Sequence, residues 1–454
     1  MVRSIDDLPA ELNERILCLV PYKNLSGVCR VSRKYRAVGT RVLYRHLPLY
    51  MAADAIMCFK TLLRNKAAAE SVRDLSLLRL QEYDGASRFL SAFFILLHKV
   101  LPRLSNLRDF TIHLGSPGSS ASTHHFDFIL EKCTFPWLED FRFFGPTTHH
   151  TQSFLDRHRS SIYRIMLVPI EPISPTPESQ IIHDRTLSFP KLEMLFTSAS
   201  FAKHILTVPL PAIENVLISW MTDFDLGFRD LLQAFSKAQR DKPFTGKLTI
   251  ERPGWNIDVI EAISTQLPHV TVLCVECWLL SLDEEAPTDM LSAIENCFSR
   301  FKDLTHLEWY FGGSGNQRSC NWDDEYEVVS AIGGACPTLR KCQLPFSDRW
   351  LRVIDEVWRP LGCPLNLDDP DNEIPDPGLT WFFDVLQDKT YPALKKLLSH
   401  MRILAQSNPK ILDLLDRFEG DDEPDADCAA DLLMAGVVLD IWWYPIDHVD
   451  CFRD

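Results

Sequence analysis

One spacing recurs along the chain and restricts its fold more than any other feature: apolar, two residues, apolar, one residue, apolar. Leu107-Phe110-Ile112, Leu138-Phe141-Phe143, Ile162-Ile165-Leu167, Leu192-Leu195-Thr197, Ile213-Val216-Ile218, Val270-Leu273-Val275, Leu304-Leu307-Trp309 and Leu339-Cys342-Leu344 follow it, and Thr245-Leu248-Ile250 is a weaker copy. The last two positions of each copy lie two apart, the period at which strand side chains share a face. Several copies follow a proline, as in Leu101-Pro102, Phe135-Pro136, Phe189-Pro190, Leu210-Pro211, Leu267-Pro268 and Cys336-Pro337. Between copies, residues 89–100, 228–239, 257–266 and 290–301 carry helical periodicity. Strand, helix and strand in succession predict an α/β chain with a parallel sheet built by stacking. An ordinary α/β domain with parallel strands satisfies the same periodicity.

The copies begin 21 to 35 residues apart. The pattern resembles leucine-rich repeats in an irregular version, with the Asn/Cys ladder position scarce, and that resemblance implies a solenoid with a curved parallel sheet. After Pro345 the pattern weakens, and residues 360–377 form a Pro/Asp-rich connector. Tyr391 to Leu397 is a candidate final repeat. Residues 416–427 hold seven acids in twelve positions, which predicts a solvated acidic loop. The apolar stretch 432–443 predicts an ordered C-terminal cap.

The first fifty residues differ in kind. Leu8, Leu12, Ile16 and Leu19 recur at helical spacing, with Pro9 suited to a first helical position and Pro21 to a stop. Leu25, Val28 and Val31 mark a second short apolar face, and Ser32 is a candidate N-cap. A third helix from about residue 33 to 43 would turn Tyr35, Val38 and Val42 inward and Arg33, Lys34, Arg36 and Arg41 outward. Three such helices bury too little surface to be comfortable alone, so a partner or the body must cover them.

Leu8-Pro9-Ala10-Glu11-Leu12, Ile16-Leu17, Pro21, Leu25 and Val31-Ser32-Arg33-Lys34-Tyr35-Arg36 together resemble the F-box family. Tyr35 stands where that family often has Trp, and Leu43-Tyr44-Arg45-His46-Leu47 is similar to a close common in fungal members. The resemblance implies an adaptor-binding module over residues 1–49, using Leu8, Pro9, Leu12, Ile16, Leu17, Pro21, Leu25 and Val31. Residues 50–359 would be the repeat body, and 360–454 the connector, possible final repeat, acidic loop and cap.

Short motifs of catalysis are missing: Gly312-Gly313-Ser314-Gly315 lacks a following Lys-Ser/Thr, and no nucleophile elbow, HExxH, kinase or dinucleotide fingerprint occurs. Cys274-Val275-Glu276-Cys277 stands alone as a CxxC, and strand alternation would put its thiols on opposite faces. His124-His125 and His149-His150 are expected to be surface histidines. The expectation is therefore a binding protein, not an enzyme, with no cofactor, no metal and no catalytic residue. Its target would meet the strand positions between the core residues, including Arg142, Phe144, Met166, Phe196, Leu217, Glu308 and Tyr310. Packing beneath a loop accounts for those positions equally well.

Thirteen cysteines without framework spacing, behind a start that lacks an apolar h-region, predict free thiols in cytosol or nucleus. Residues 1–49 hold nine Lys/Arg against four Asp/Glu while the whole chain is at −15. A basic head on an acidic body suits an acidic partner. The body's field disfavours nucleic acid, and no apolar run suits a membrane. Taken together, the resemblance implies a Skp-type adaptor bound by the head and, through it, a cullin-RING ubiquitin ligase, with a protein target of unknown identity on the repeats. A non-degradative adaptor or scaffold, and an unrecognised α/β enzyme, are the alternatives.

Overall fold

The structure is a computed structural model that describes residues 8–78, 87–113, 130–145, 147–168, 186–220, 227–253, 257–278, 296–312, 322–344, 349–354, 357–360, 377–420 and 426–439. The chain divides into two compact units, Met1–Phe244 and Thr245–Asp454. The fold is α/β, mostly parallel and solenoid-like, and within each unit the strands neighbour one another in chain order.

The first unit opens with helices α1 (Ala10–Cys18), α2 (Tyr22–Val31) and α3 (Arg33–Leu43), and continues through β1 (His46–Leu49), α4 (Ala52–Arg64), α5 (Lys66–Ser71), β2 (Asp74–Leu77) and α6 (Ser87–Val100). Strands β3 (Asp109–His113), β4 (Asp140–Phe144), β5 (Arg164–Val168), β6 (Met194–Ser198) and β7 (Asn215–Ser219) follow. Each strand from β1 to β7 pairs in parallel with the next. The register stacks Leu47, Leu75, Phe110, Phe141, Ile165, Leu195 and Val216 into one buried row. Leu49, Leu77, Ile112, Phe143 and Leu167 make a second row two residues on. Helices cover this face, as where Phe141 meets Phe154 of the His149–His158 helix with ring centroids 4.7 Å apart. Burying one such side chain stabilises by about 1.5–3 kcal/mol, so each row is worth many single contacts.

The prolines before the strands have a physical role. In Leu101-Pro102-Arg103-Leu104, Phe135-Pro136-Trp137-Leu138, Phe189-Pro190-Lys191-Leu192 and Leu210-Pro211-Ala212-Ile213, the fourth N–H donates to the first carbonyl at 3.0, 3.2, 3.3 and 3.2 Å. Each is a turn with proline at its second position, where the ring presets φ and no N–H is lost. The turn drops the fourth residue into the core and delivers the chain to the strand.

There a second recurring device takes over. The Arg73 carbonyl accepts from the N–H groups of Arg108 and Asp109 at 2.7 and 3.0 Å, and the Arg108 carbonyl accepts from Glu139 and Asp140 at 2.8 and 3.0 Å. The Glu139, Tyr163 and Glu193 carbonyls repeat the arrangement. Buried His158 ties a turn to a helix: its Nε2 accepts from the Phe135 N–H at 2.8 Å while Nδ1 faces the Phe154 carbonyl at 2.7 Å. That pairing puts the proton on Nδ1 and keeps the ring neutral, and burial pushes its pKa down to about 4.

In the second unit, β8 (Lys247–Pro253), β9 (Val272–Trp278), β10 (His306–Gly312) and β11 (Lys341–Gln343) are parallel, and β12 (Arg349–Ile354) and β13 (Val357–Pro360) close the sheet antiparallel. Trp350 and Trp358 are fully buried, and buried Arg352 donates to the Pro337 carbonyl at 2.8 Å. Helices Pro377–Gln387, Leu394–Leu404, Pro409–Gly420 and Ala426–Val438 complete the described residues of this unit.

All nine sequence copies are strands, and within each unit the order has no reversal, as stacking requires. Three expectations change. The stretch 391–397 makes no strand: Tyr391 is buried and Leu394 begins a helix. The acidic run begins as helix, where Asp416 and Glu419 clamp Arg402 at 2.7 and 2.8 Å; residues 421–425 lie outside the described residues, as do 361–376 of the connector. Finally, His46–Leu49, placed in the N-terminal module by sequence, is the first strand of the sheet. The ten described cysteines are free, and no described helix is long and apolar enough to cross a membrane.

Asp74, Asp109 and Asp140 stand in register on three adjacent strands. Burial, then Asp140, Asp74 and Glu139, push the Asp109 carboxyl up to about 6, against Arg142. Its folded pKa is thus above the unfolded one, so the native state holds the extra proton and stability falls as pH rises from about 4 through 6. Asp109→Asn should raise the first unit's melting temperature at pH 7.5 by about 2 °C, a value discounted for partial exposure. The gain should vanish near pH 4, as read by calorimetry at both pH values.

Candidate functional site

The N-terminal helices are nine, ten and eleven residues long, too short to persist alone. Pro9 is the N-cap of α1, one place before the position expected of it, and Pro21 caps α2. The Ser32 hydroxyl caps α3 by accepting from the Tyr35 N–H at 3.1 Å. Leu17, Leu25 and Val38 form the core, flanked by Val20, Val28, Tyr35, Val42 and Leu43. Gly39 lets α2 and α3 close, because a Cβ there would sit 2.6 Å from the Cys29 sulfur.

The entry to α1 is clamped. The Leu8 carbonyl accepts from Asn13 Nδ2 and from Lys34 Nζ, each at 3.0 Å, and the Pro9 carbonyl accepts from Asn13 at 3.2 Å. These bonds hold the Leu8-Pro9 step against α3, with Leu8 half-buried and Pro9 exposed. From there an apolar stripe runs along α1: Leu12 is 44% exposed, Ile16 40% and Leu19 85%. Tyr22 and Val31 of α2 are also exposed, and so is Pro21.

The eight residues expected to bind an adaptor therefore separate. Pro9, Leu12, Ile16, Pro21 and Val31 are exposed and Leu8 is half-buried, whereas Leu17 and Leu25 are core. The latter two support the stripe from behind and cannot touch a partner. Asn13 and Tyr22 escaped sequence reasoning. Asn13 shares the buried side of α1 with Leu17, four residues on, and only the carbonyls it reaches reveal its role.

The expected target surface is the outward face of the strands. In the first unit, Arg142, Met166, Phe196 and Leu217 occupy one register row, all half-buried. Arg142 is engaged within the chain, its Nε and Nη2 donating to Asp140 at 3.2 and 2.9 Å. Phe144 packs against His113 with the rings tilted by 35° and their centroids 4.9 Å apart. In the second unit, Glu308 accepts from the Cys274 thiol at 3.1 Å, and burial, reinforced by Glu308, pushes that thiol up to about 12. Cys274 and Cys277 do lie on opposite faces, both buried. The Tyr310 side chain is outside the described residues, as are His124-His125 and residues 313–315. His150 faces Glu131 at 3.9 Å, and no group of three His, Cys, Asp or Glu among the described residues could hold a metal.

No family model matches the chain, and no curated protein matches it. The site is thus characterised by its own geometry: a minimal helical core presenting an uncovered apolar stripe.

Truncation separates support from surface. Leu17→Ala or Leu25→Ala should destabilise the module by about 2–5 kcal/mol, while Leu12→Ala or Ile16→Ala should stay within about 0.5 kcal/mol of the parent. Urea denaturation followed by circular dichroism measures both.

Proposed function

We propose that the chain is a substrate-recognition subunit of a Skp-cullin-F-box ubiquitin ligase. Its head binds a Skp-type adaptor through Pro9, Leu12, Ile16, Leu19 and Tyr22, and its repeats hold a protein target. The observation that carries this reading is the apolar stripe left exposed on helices that follow the F-box-like spacing. Short helices with a three-residue buried core gain most of their stability from what covers them. The net positive charge of residues 1–49 complements an acidic partner.

The protein transfers nothing itself. It raises the effective concentration of a target lysine near a charged conjugating enzyme, which is a gain in proximity with no chemical group supplied. On the outward strand face, Met166, Phe196 and Leu217 offer apolar contact, with Phe144 at one edge. Arg142 contributes only if its pairing with Asp140 is given up, so it ranks below the apolar residues.

Co-precipitation from cells decides the matter. The full chain should bring down a Skp-type adaptor and a cullin, and Leu12→Asp/Ile16→Asp should lose both by more than about tenfold with the melting transition unchanged. Retention of the adaptor by the double variant would refute the proposal. Adaptor without cullin would point to a scaffold that does not direct degradation.

A further inference from the structure

A cleft of 510 Å³ lies on the other flank of the helical module, away from the apolar stripe. Arg33, Arg36, Arg41, Arg45 and Arg73 line it, against two acids, Glu14 and Glu70. The surplus is three positive charges in one recess. We propose that this cleft binds a soluble polyphosphate compound, one carrying at least a diphosphate group.

The acids present do not neutralise the site. Glu14 is shared by two arginines, accepting from Arg41 Nε at 3.3 Å and from Arg45 Nη1 at 3.5 Å. Glu70 faces Lys66 at 3.5 Å. Arg73 donates to backbone carbonyls, those of Glu70 at 3.1 Å and Asn106 at 3.3 Å, and meets no carboxylate in those bonds. Arg36 likewise bonds the Cys29 carbonyl at 3.4 Å through Nε, which leaves its terminal nitrogens for a ligand. Burial, then Arg108 and Arg45, pull the Arg73 guanidinium below its ordinary value, as expected where like charges are crowded.

The fold holds these groups in place. Arg33, Arg36 and Thr40 share the polar face of α3, opposite the packed Val38, with Arg41 at its border. Arg45 and Arg73 are fixed through their backbone, the Arg45 carbonyl accepting from the N–H groups of Arg73 and Asp74 at 2.9 and 3.0 Å. Planar guanidinium forks match phosphate oxygens in pairs, and several around one recess suit adjacent phosphates. A volume within the usual 300–1,000 Å³ range for small ligands leaves room for a substituent beyond the diphosphate. A single phosphate, near −2, would leave part of the surplus unmatched, whereas a diphosphate near −3 matches it.

Isothermal titration calorimetry of the full chain with pyrophosphate and with orthophosphate tests the assignment. The expected result is saturable one-to-one binding of pyrophosphate, at least about tenfold tighter than of orthophosphate, and weakening steeply as salt rises. Arg33→Ala/Arg36→Ala should weaken it at least about tenfold more. Because the Arg33 side chain is exposed and makes no hydrogen bond or ion pair among the described residues, Arg33→Glu alone gives a reading free of folding effects. Leu12→Asp, on the far stripe, should bind as the parent does. Absence of saturable binding, equal affinity for orthophosphate, or an undiminished signal from both arginine variants would each overturn the proposal.

Discussion

The architecture depends on one backbone arrangement that recurs at eight strands: a carbonyl at the foot of the strand accepts two consecutive N–H groups from the next repeat. Arg45, Arg73, Arg108, Glu139, Tyr163 and Glu193 supply it in the first unit, and Thr271 and Thr305 in the second. Buried backbone groups must be paired, and here the pairing itself fixes the offset between neighbours. Once that offset is set, apolar residues fall opposite apolar residues and the two stacked rows form without further choice. The side chains at this level are free to vary, since only their backbone is used. Arginines and acids therefore gather along the foot of the sheet, and the charge pattern there is a by-product of a backbone rule.

That by-product accounts for both electrostatic features of the first unit. Asp74, Asp109 and Asp140 crowd together because the ladder puts them in register, and His46, Arg142 and Arg164 border them at 3.6, 2.9 and 3.9 Å from a carboxylate. The arginine cleft arises because two ladder residues, Arg45 and Arg73, meet the polar face of α3. The apolar stripe, by contrast, owes nothing to the sheet. It follows from helix phase: α1 has two apolar sides, and α2 and α3 cover only the one carrying Leu17.

How much of this was legible in the sequence follows from the same physics. Nine strands were visible because their apolar residues alternate over a fixed interval behind a turn. β1 was hidden by Pro48, which an edge strand tolerates because one side of its backbone goes unpaired. β2 offers only Leu75 and Leu77, too few to establish a period. β12 and β13 follow an antiparallel pattern that the repeat spacing does not describe. Within α1, Leu12, Ile16 and Leu17 are all apolar at helical spacing, so composition cannot say which is covered. Only the closeness of α2 and α3 at Gly39 decides that Leu17 is inside. The partners of Asn13 and Glu14 were invisible for the same reason, lying on other elements.

The proline turns carry a consequence for how such a chain can change length. Each turn reseats the backbone immediately before a strand, so whatever precedes it is forgotten by the time the carbonyl ladder is reached. Added or lost residues between one strand's end and the next turn leave the register intact, which is how the first unit's copies, spaced 21 to 31 residues apart, keep their stacked rows. A single residue inserted between the turn and the strand's end would instead swap the two faces, exchanging Phe110 and Ile112 for their outward neighbours. Descent with insertions and deletions is thus channelled to one side of the sheet, and there new loops can arise without cost to the strands.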